Sequence, residues 1–413
     1  MAYQVIARKW RPQVFEEVIG QDAITRTLRN AIVYDRLHHA FVFSGVRGVG
    51  KTTTARIFAK SLNCHKTDAP NPVPCDTSKH DACPSCIEIS EGRSLDVLEF
   101  DAASHTKVEE IRDIILEGIN INPARDRFKV FIIDEFHMLS KSSFNALLKT
   151  LEEPPERVVF MMATTEHHKV PVTILSRCQE FEFHTIPLAD IFSRLRLIAD
   201  TEKIEIEDRI LMEIARSGEG SMRDAQSNFD QVISFSDGEI TAENVGDALG
   251  IAGAETVIEA LQAVHKKDHG LLFEIVAGLA DSGHDLIHFS NNLMIAMRDL
   301  LVFKLADEKS TLIESSSVEE KALDELSRGF SETDLIRCFN SLAETTVRMR
   351  DANEPRYLLE IGLLKLVEMR SMAKLEELLE RFEALAPVST DSAGDSDPPA
   401  SLAAAADSKK KLQ

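Results

Sequence analysis

Short apolar runs alternate with amphipathic stretches over the first 184 residues. The runs predict buried strands at residues 41–44, 97–100, 130–133, 158–163 and 180–183, with helices between them at 53–62, 108–116 and 142–151. A chain that alternates strands and helices in this way favours an α/β domain built on a parallel sheet. We therefore predict one such domain over residues 1–184.

From about residue 188 onward the apolar spacing is helical, and no further strands are predicted. Residues 191–201, 208–217 and 221–234 predict a three-helix domain, placed at 185–245. Helical patterns at 241–249 and 255–264 begin a third, all-α domain over 246–372. Residues 373–413 stay helical to about 384 and then consist mostly of Ser, Asp, Ala and Pro, which predicts a partly helical and then disordered tail.

The composition is that of an ordinary soluble protein, with 44% hydrophobic and 28% charged residues among 413. No apolar run approaches the roughly 18 residues of a membrane helix, and the polar N-terminus is no signal peptide, so we expect a cytoplasmic protein. The net charge is −21, yet residues 1–60 carry ten Lys or Arg against four acids. The negative charge of the whole chain argues against non-specific nucleic-acid binding by its entire surface. Any DNA contact is therefore confined to local patches.

A glycine-rich segment follows the first predicted strand and precedes a predicted helix. Residues 45–52 fit the phosphate-binding pattern G-x-x-x-x-G-K-[ST]. In this pattern glycines let the backbone wrap around phosphates, Lys51 reaches the β- and γ-phosphates, and Thr52 holds Mg²⁺. A glycine turn before an amphipathic helix is the alternative. The candidate nucleotide-binding residues of this segment are Gly45, Val46, Arg47, Gly48, Val49, Gly50, Lys51, Thr52 and Thr53.

Two carboxylates end the third predicted strand. Asp134 and Glu135 follow the apolar run at 130–133, and ligands of parallel sheets bind beyond the carboxyl ends of the strands. Beside a phosphate-binding loop, Asp134 is expected to bind the Mg²⁺ shell and Glu135 to orient or deprotonate the attacking water. Two solvated acids at a strand end are the alternative. Together the two motifs predict hydrolysis of a nucleoside triphosphate.

Four of the six cysteines are clustered in the sequence. They are Cys64, Cys75, Cys83 and Cys86. Four thiolates complete a tetrahedral zinc site and leave no open position, so the zinc would be structural. In a cytosolic chain the spacing favours metal over disulfides, and free thiols are the alternative. His65 and His80 are candidate substitutes for one ligand, whereas Cys178 and Cys338 are isolated and are expected to be packed side chains.

Three arginine-bearing motifs accompany these sites. Ser176-Arg177-Cys178 follows the fourth strand, Gly220-Ser221-Met222-Arg223 opens a helix, and residues 8–12 (Arg-Lys-Trp-Arg-Pro) precede the glycine-rich loop. With the acid pair and the cysteines, these motifs resemble the bacterial clamp-loader ATPases, the gamma/tau subunits of DNA polymerase III, which are members of the AAA+ class. The resemblance is strong to about residue 235, weaker beyond it, and ends near residue 372.

The resemblance implies roles for individual residues. Thr165 would act as sensor 1 and position the water, Arg223 would contact the γ-phosphate of its own subunit, and Arg177 would reach a neighbouring subunit's site as an arginine finger. Ordinary surface salt bridges are the alternative for the two arginines. The residues that would frame the adenine include Arg11, Pro12 and Val18.

The resemblance also implies a fold. An AAA+ phosphate-binding-loop domain with an inserted zinc module at about 64–86 would be followed by a helical lid and an oligomerisation collar. One departure concerns the zinc module, because an insertion at 76–82 that contains His80 separates Cys75 from Cys83. This insertion leaves the identity of one zinc ligand open.

The implied function is ATP-dependent loading of a sliding clamp (beta) onto primer–template DNA, with Mg²⁺ and Zn²⁺ as cofactors. Copies of the chain would join the delta and delta-prime subunits in a pentameric ring. The candidate DNA contacts are the loop at 104–107 and the helix at 108–115, with Lys107 and Arg112. A solvated helix face is the alternative for that segment.

Two rival functions remain at this stage. Another AAA+ DNA motor, such as a junction branch-migration helicase, would lack the cysteine cluster and the collar. A nucleotide-binding scaffold that does not hydrolyse ATP would not need the intact Lys51, Asp134 and Glu135. Members of the resembled family are often described by the polymerase (nucleotidyltransferase) activity of their holoenzyme, but no polymerase site is recognised in this sequence.

Overall fold

A computed structural model describes residues 4–103, 118–119, 121–236, 238, 240–305 and 326–369 of the chain. The chain divides into two compact units, one made of Met1–Ile258 with Ile275–Asn292 and the other of Glu259–Glu274 with Leu293–Gln413. The predicted DNA-contact segment with Lys107 and Arg112, and the predicted tail, lie outside the described residues.

A five-stranded parallel sheet forms the centre of the first unit. Its strands are β1 Ala40–Gly45, β2 Val97–Asp101, β3 Lys129–Asp134, β4 Val158–Thr164 and β5 Gln179–Phe183. Their order is β2-β3-β4-β1-β5, and all four neighbouring pairs are parallel. The five predicted strands and the parallel sheet are therefore confirmed. Because β4 lies between β1 and β3, the carboxyl ends of these three strands meet at one edge of the sheet.

Both faces of the sheet are covered, and alternate residues of a strand enter different cores. On β1, Phe41 and Phe43 belong to one apolar cluster, whereas Ala40 and Val42 belong to another. Successive side chains of a strand point to opposite faces, so a strand buried on both sides is apolar at every position. Full burial of a side chain such as Phe41 contributes about 1.5–3 kcal/mol. This explains why continuous apolar runs marked the strands.

Helices surround the sheet and continue beyond it. In chain order they are α1 Ile6–Lys9, α2 Asp22–Val33, α3 Lys51–Asn63, α4 Pro84–Glu91, α5 Lys141–Glu152 and α6 Val172–Leu175, followed by α7 Leu188–Glu202, α8 Asp208–Ser217, α9 Met222–Phe235 and α10 Ala242–Leu249. Short 3-10 helices lie at Phe15–Glu17, Phe136–Met138 and His167–Lys169. The predicted helices at 53–62, 142–151, 191–201, 208–217 and 221–234 are confirmed with ends that differ by at most a few residues, whereas the one at 108–116 lies outside the described residues.

A fourth helix packs with the predicted three-helix bundle. Val245 and Ala248 of α10 lie in the same apolar cluster as Ile191, Leu211 and Phe229 of α7, α8 and α9. The boundary drawn at residue 245 from the sequence therefore falls inside α10. Periodicity locates a helix and its apolar face but does not tell which core that face will join.

The remaining described chain is helical. Its helices are α11 Ala254–Lys266, α12 His269–Asp281, α13 Leu286–Leu305, α14 Glu332–Arg350 and α15 Pro355–Met369. In the second unit α14 and α15 pack against each other and bury leucines such as Leu342 and Leu363. No helix among the described residues combines the length and the apolar character needed to cross a membrane.

Candidate nucleotide site and cysteine cluster

The glycine-rich loop joins the end of β1 to the start of α3. Gly45 and Gly48 have φ values of +134° and +78°, in the region that favours glycine. A Cβ at Gly45 would lie 2.3 Å from the carbonyl oxygen of Phe183, and one at Gly48 would lie 1.9 Å from Ser221 Oγ. Only glycine fits at either position, so the backbone can curl at the N-terminus of α3, where free N–H groups favour an anion.

A cavity of about 580 Å³ opens beside this loop. The predicted site residues that line it are Arg11, Pro12, Val18, Arg47, Gly48, Val49, Gly50, Lys51, Thr52, Thr53, Asp134, Glu135 and Arg223. The structure thus brings together residues from the N-terminal segment, the loop, β3 and α9. This volume and this convergence of charged groups are typical of a ligand site.

Lys51 is held by the loop that precedes it. Its Nζ donates to the carbonyl oxygens of Gly45 at 2.7 Å and Val46 at 2.6 Å, and only 6% of the residue is exposed. Burial lowers the pKa of Lys51, while the charges of Glu135 and Asp134 act in the opposite direction. The ammonium therefore lies in the cavity wall between the loop carbonyls and two acids.

Thr52 and Asp134 both line the cavity and are hydrogen-bonded to each other. Thr52 Oγ1 donates to Asp134 Oδ2 at 2.8 Å. Burial raises the pKa of Asp134, and the hydrogen bond from Thr52 partly opposes that rise. A hydroxyl and a carboxylate side by side are hard oxygen ligands of the kind that Mg²⁺ prefers. The donor set therefore fits the predicted magnesium ion.

Glu135 is oriented by the end of the neighbouring strand. It has a φ of +46°, a strained conformation for a non-glycine residue that is frequent at functional sites. Thr165 Oγ1, just beyond β4, donates to Glu135 Oε2 at 2.9 Å. His137, which the sequence did not single out, has its Nδ1 3.5 Å from the same oxygen and 3.0 Å from Thr164 Oγ1. Glu135 and Thr165 are thus in direct contact.

Helix α9 carries Arg223 to the glycine-rich loop. Ser221 caps the helix by accepting a hydrogen bond from the N–H of Asp224 at 3.2 Å. In this first turn the N–H of Arg223 donates to the carbonyl oxygen of Gly48 at 3.4 Å. Arg223 therefore lies at the cavity because the lid helix begins against the loop.

Arg177 lies away from the cavity of its own chain. Its Nη2 is 2.6 Å from Glu152 Oε1, and its Nη1 donates to the carbonyl oxygen of Thr173 at 2.6 Å. About one third of the Arg177 side chain is exposed, on the segment between β4 and β5. The structure does not bring this residue together with the other site residues.

Several cavity residues carried no motif. They are Glu17, Arg56, Glu99, Phe100, Asp101, Ala103, Ile186 and Gln226. Ala7, Trp10 and Ile19 also line the cavity and lie beside the residues expected to frame the adenine, and Met222 precedes Arg223 in its motif. Arg56 had one available signal, since it follows Thr52 by one helical turn and so shares its face. It forms two 2.6 Å hydrogen bonds with Glu99 in the middle of β2. The other contacts depend on tertiary packing.

The four clustered cysteines converge in space. Their sulfur atoms all lie within 4.8 Å of one another, and Cys64 Sγ is 3.6 Å from Cys75 Sγ. A tetrahedral zinc site with Zn–S bonds of about 2.3 Å places its sulfurs about 3.8 Å apart. Backbone N–H groups also point at two sulfurs, from His65 to Cys83 and from Cys83 to Cys75, both at 3.4 Å. The arrangement fits a structural zinc ion.

Neither candidate histidine belongs to this group. His65 Nε2 lies 2.8 Å from Asp126 Oδ1, and His80 is exposed outside the cluster. Cys338 is buried elsewhere, and burial raises the pKa of the Cys178 thiol to about 12. The four cysteines are therefore the ligand set that the geometry favours, despite the insertion between Cys75 and Cys83.

Three family models match successive parts of the chain. Residues 20–187 match the model described as DNA polymerase III, delta subunit, and residues 190–238 match DNA polymerase III clamp loader subunit, ATPase lid domain. Residues 240–382 match DNA polymerase III subunits gamma and tau domain III. The third model begins just before α10.

Curated relatives match over most of the chain. The DNA polymerase III subunit tau of Bacillus subtilis is 39% identical over 93% of this chain and 69% of its own length. The subunit tau of Escherichia coli is 39% identical over 94% of this chain, which spans 59% of that relative. The subunit gamma of Buchnera aphidicola from Acyrthosiphon pisum is 37% identical over 89% of this chain and 99% of its own length. This chain thus spans roughly three fifths to two thirds of the two tau relatives.

One of the solved structures that align with this chain is the Thermotoga maritima RuvB Holliday junction branch migration motor. It aligns with a TM-score of 0.43 and 20% identity, over 67% of this chain and 86% of that chain. At that score the likeness carries no argument about activity.

Proposed function

The chain belongs to the gamma/tau subunit family of bacterial DNA polymerase III, and on that premise we propose that it is the ATPase that loads a sliding clamp onto primer–template DNA. The observation that carries the proposal is the pairing of Thr52 with Asp134, and of Thr165 with Glu135, beside the glycine-rich loop. These contacts align groups for metal and for water at one cavity, which a scaffold that only binds nucleotide does not need. No finding here supports a nucleotidyltransferase activity of the chain itself.

Hydrolysis is assigned to residues of the cavity. The N–H groups of the loop and the Lys51 ammonium bind the β- and γ-phosphates of ATP. Thr52 and Asp134 would hold Mg²⁺, which when bound would neutralise charge on the phosphate oxygens. Glu135 orients the attacking water or accepts its proton, and Thr165 fixes the carboxylate for that task. Arg11, Pro12 and Val18 form the wall assigned to the adenine.

The two arginines are assigned to different subunits. Arg223 at the start of α9 binds the γ-phosphate of its own chain and so links nucleotide to the lid. Arg177 acts in the site of a neighbouring subunit, where it neutralises charge in the transition state. Arg177 is not among the residues that line the cavity of its own chain, which supports this division. The assembly we propose is a pentameric ring of copies of this chain with the delta and delta-prime subunits.

In the proposed ring, ATP binding and hydrolysis are coupled to the opening of the clamp and to the binding of DNA. ATP bound between subunits favours a ring that holds the beta clamp open, and primer–template DNA completes the sites and triggers hydrolysis. DNA is bound through its phosphate backbone, without reading of the base sequence. A structural zinc ion on the four cysteines fixes the inserted module.

The deciding experiment measures ATP turnover by the chain with its ring partners, with and without primed DNA plus clamp. Strong stimulation by DNA and clamp together, lost in Lys51→Ala and in Arg177→Ala, is the expected result. Turnover that ignores the clamp would identify a different AAA+ motor. Nucleotide binding without turnover under any condition would indicate that the chain is a nucleotide-binding scaffold. It would also contradict the roles given to Glu135 and Thr165.

A further inference from the structure

The side-chain amide of Gln13 lies at the meeting point of three segments. Its Oε1 accepts hydrogen bonds from Thr77 Oγ1 at 2.6 Å, Lys60 Nζ at 3.1 Å and Ser90 Oγ at 3.2 Å. Lys60 Nζ also donates to the carbonyl oxygen of Gln13 at 2.9 Å, and Lys60 is only 1% exposed. A buried ammonium is costly unless it is hydrogen-bonded, so these contacts hold Gln13 firmly.

The three donors come from the three segments that carry the clustered cysteines. Lys60 lies in the last turn of α3, whose C-cap is the first of the four. Thr77 lies in the loop after the second, and Ser90 lies on α4, which begins after the third and contains the fourth. Because a bound metal fixes four sulfurs relative to one another, it also fixes the three groups that donate to Gln13.

On its other side Gln13 holds the wall of the nucleotide cavity. Its N–H donates to Glu17 Oε2 at 2.6 Å, and its Nε2 donates to the carbonyl oxygen of Arg11 at 3.1 Å. Arg11 and Glu17 both line the cavity, as do Pro12 and Val18. One residue thus connects the cysteine module to the segment assigned to the adenine.

We infer that Gln13 is a positioning residue through which metal binding at the cysteine cluster and nucleotide binding at the cavity strengthen each other. The metal-loaded module presents Thr77 and Ser90 to Gln13, which holds residues 11–18 in the arrangement that binds nucleotide. The inference rests on the proposed nucleotide site. Coupling between two sites is reciprocal, so nucleotide must raise the affinity for zinc by the factor by which zinc raises the affinity for nucleotide.

The test breaks the connection without touching either site. In the full chain, the double variant Thr77→Val, Ser90→Ala removes two donors to Gln13 and keeps all four cysteines. The matched control is Thr67→Val in the same module, because Thr67 Oγ1 donates to the carbonyl oxygen of Ala69 and not to Gln13. The measurements are zinc content, thermal unfolding, and the Kd for a fluorescent ATP analogue with Mg²⁺.

The double variant is expected to keep its zinc and its fold while its Kd for the analogue rises about tenfold. The control keeps the wild-type Kd. Removal of zinc by a chelator should raise the wild-type Kd for the analogue by a similar factor. In the double variant the same treatment should raise the Kd little further. In the reverse direction, the nucleotide analogue should raise zinc affinity, measured against a competing chelator, in the wild type and the control but not in the double variant.

An unchanged Kd in the zinc-loaded double variant, or a zinc affinity that ignores nucleotide in the wild type, would overturn the coupling and leave the nucleotide site standing. A wild-type chain that binds no analogue at all would overturn the proposed nucleotide site, and the coupling with it.

Discussion

Thr52 Oγ1 donates a 2.8 Å hydrogen bond to Asp134 Oδ2, although 82 positions separate the two residues in sequence. The contact exists because the start of α3, which follows the loop after β1, and the end of β3 lie at the same edge of a parallel sheet. A second contact, from Thr165 to Glu135, joins the end of β3 to that of β4. The two hydrogen bonds align the metal-binding and water-activating groups in advance, and the predictions below test what each group does.

Glu135→Gln is expected to lower the kcat for ATP hydrolysis by about 10²–10⁴, because an amide cannot accept a proton from water. The Kd for ATP should change little, since the amide oxygen still accepts the hydrogen bond from Thr165. Steady-state turnover and equilibrium binding check the two effects separately. Glu182→Gln, at an exposed position of β5, is the control and should behave as wild type. A variant with wild-type turnover would exclude Glu135 as the base.

Mixing variants tests whether Arg177 acts in a neighbouring subunit. Lys51→Ala and Arg177→Ala should each lose most ATP turnover in reconstituted rings, by about 10³–10⁵ for an arginine finger. A ring that contains both variants should regain part of it, because an intact loop in one subunit then faces an intact Arg177 in the next. Arg93→Ala, which removes a surface arginine paired with Glu91, is the control. Mixed rings that stay as inactive as either variant alone would contradict action in trans.

Gly48→Ala should weaken nucleotide binding and destabilise the lid. The added Cβ would displace Ser221, whose loss as the cap of α9 costs about 1 kcal/mol, and would move Arg223 away from the loop. The measurements are the Kd for ATP and the thermal midpoint. Gly92→Ala is the matched control, because Gly92 also has a positive φ, of +70°, but no atom within 4 Å of the added Cβ. The control should lose stability and keep its Kd, and equal Kd values for both variants would refute the steric argument.

Cys75→Ser should reduce the zinc content from about one ion per chain to near zero, because serine is a poor zinc ligand. The thermal midpoint should fall with it, since the polar loop around Cys75 has little apolar core of its own. Zinc released on denaturation and the thermal midpoint are the readouts. Cys178→Ser, outside the cluster, should keep the full zinc content. If Cys75→Ser retained its zinc, His80 or His65 would have to be considered again as a zinc ligand.

The buried His288 side chain is expected to make the folded protein less stable in mild acid. Burial lowers the pKa of His288, and Glu219 and Asp285 oppose that shift. The folded chain therefore takes up the proton at a lower pH than the unfolded chain, whose histidine has a pKa of about 6.5. The contribution of His288 to the free energy of unfolding should be constant above that value and fall as the pH drops toward the folded-state pKa.

Urea midpoints at pH 7.5 and 5.5 test this sign. His288→Gln cannot titrate and should show a smaller difference between the two pH values than the wild type. A variant that loses as much stability as the wild type on acidification would assign the acid sensitivity to other groups.

The sequence by itself determined the elements and the chemistry at their ends. Strands buried on both faces have to be apolar at every position, so β1, β3 and β4 were readable as runs. The glycines, Lys51 and Thr52 were readable because phosphate binding requires a fixed local spacing, and the cysteines because a metal needs several ligands. These signals are local, and each survives without knowledge of the fold.

Only the tertiary structure decided which distant groups meet. The strand order brought Thr165 to Glu135, the packing of α10 joined it to the apolar cluster of α7, α8 and α9, and convergence of three segments placed Lys60, Thr77 and Ser90 on Gln13. Such contacts join residues far apart in sequence, where neither spacing nor periodicity carries a signal. Their geometry follows from burying apolar faces together while every buried polar group finds a partner, and that balance is set by the whole fold.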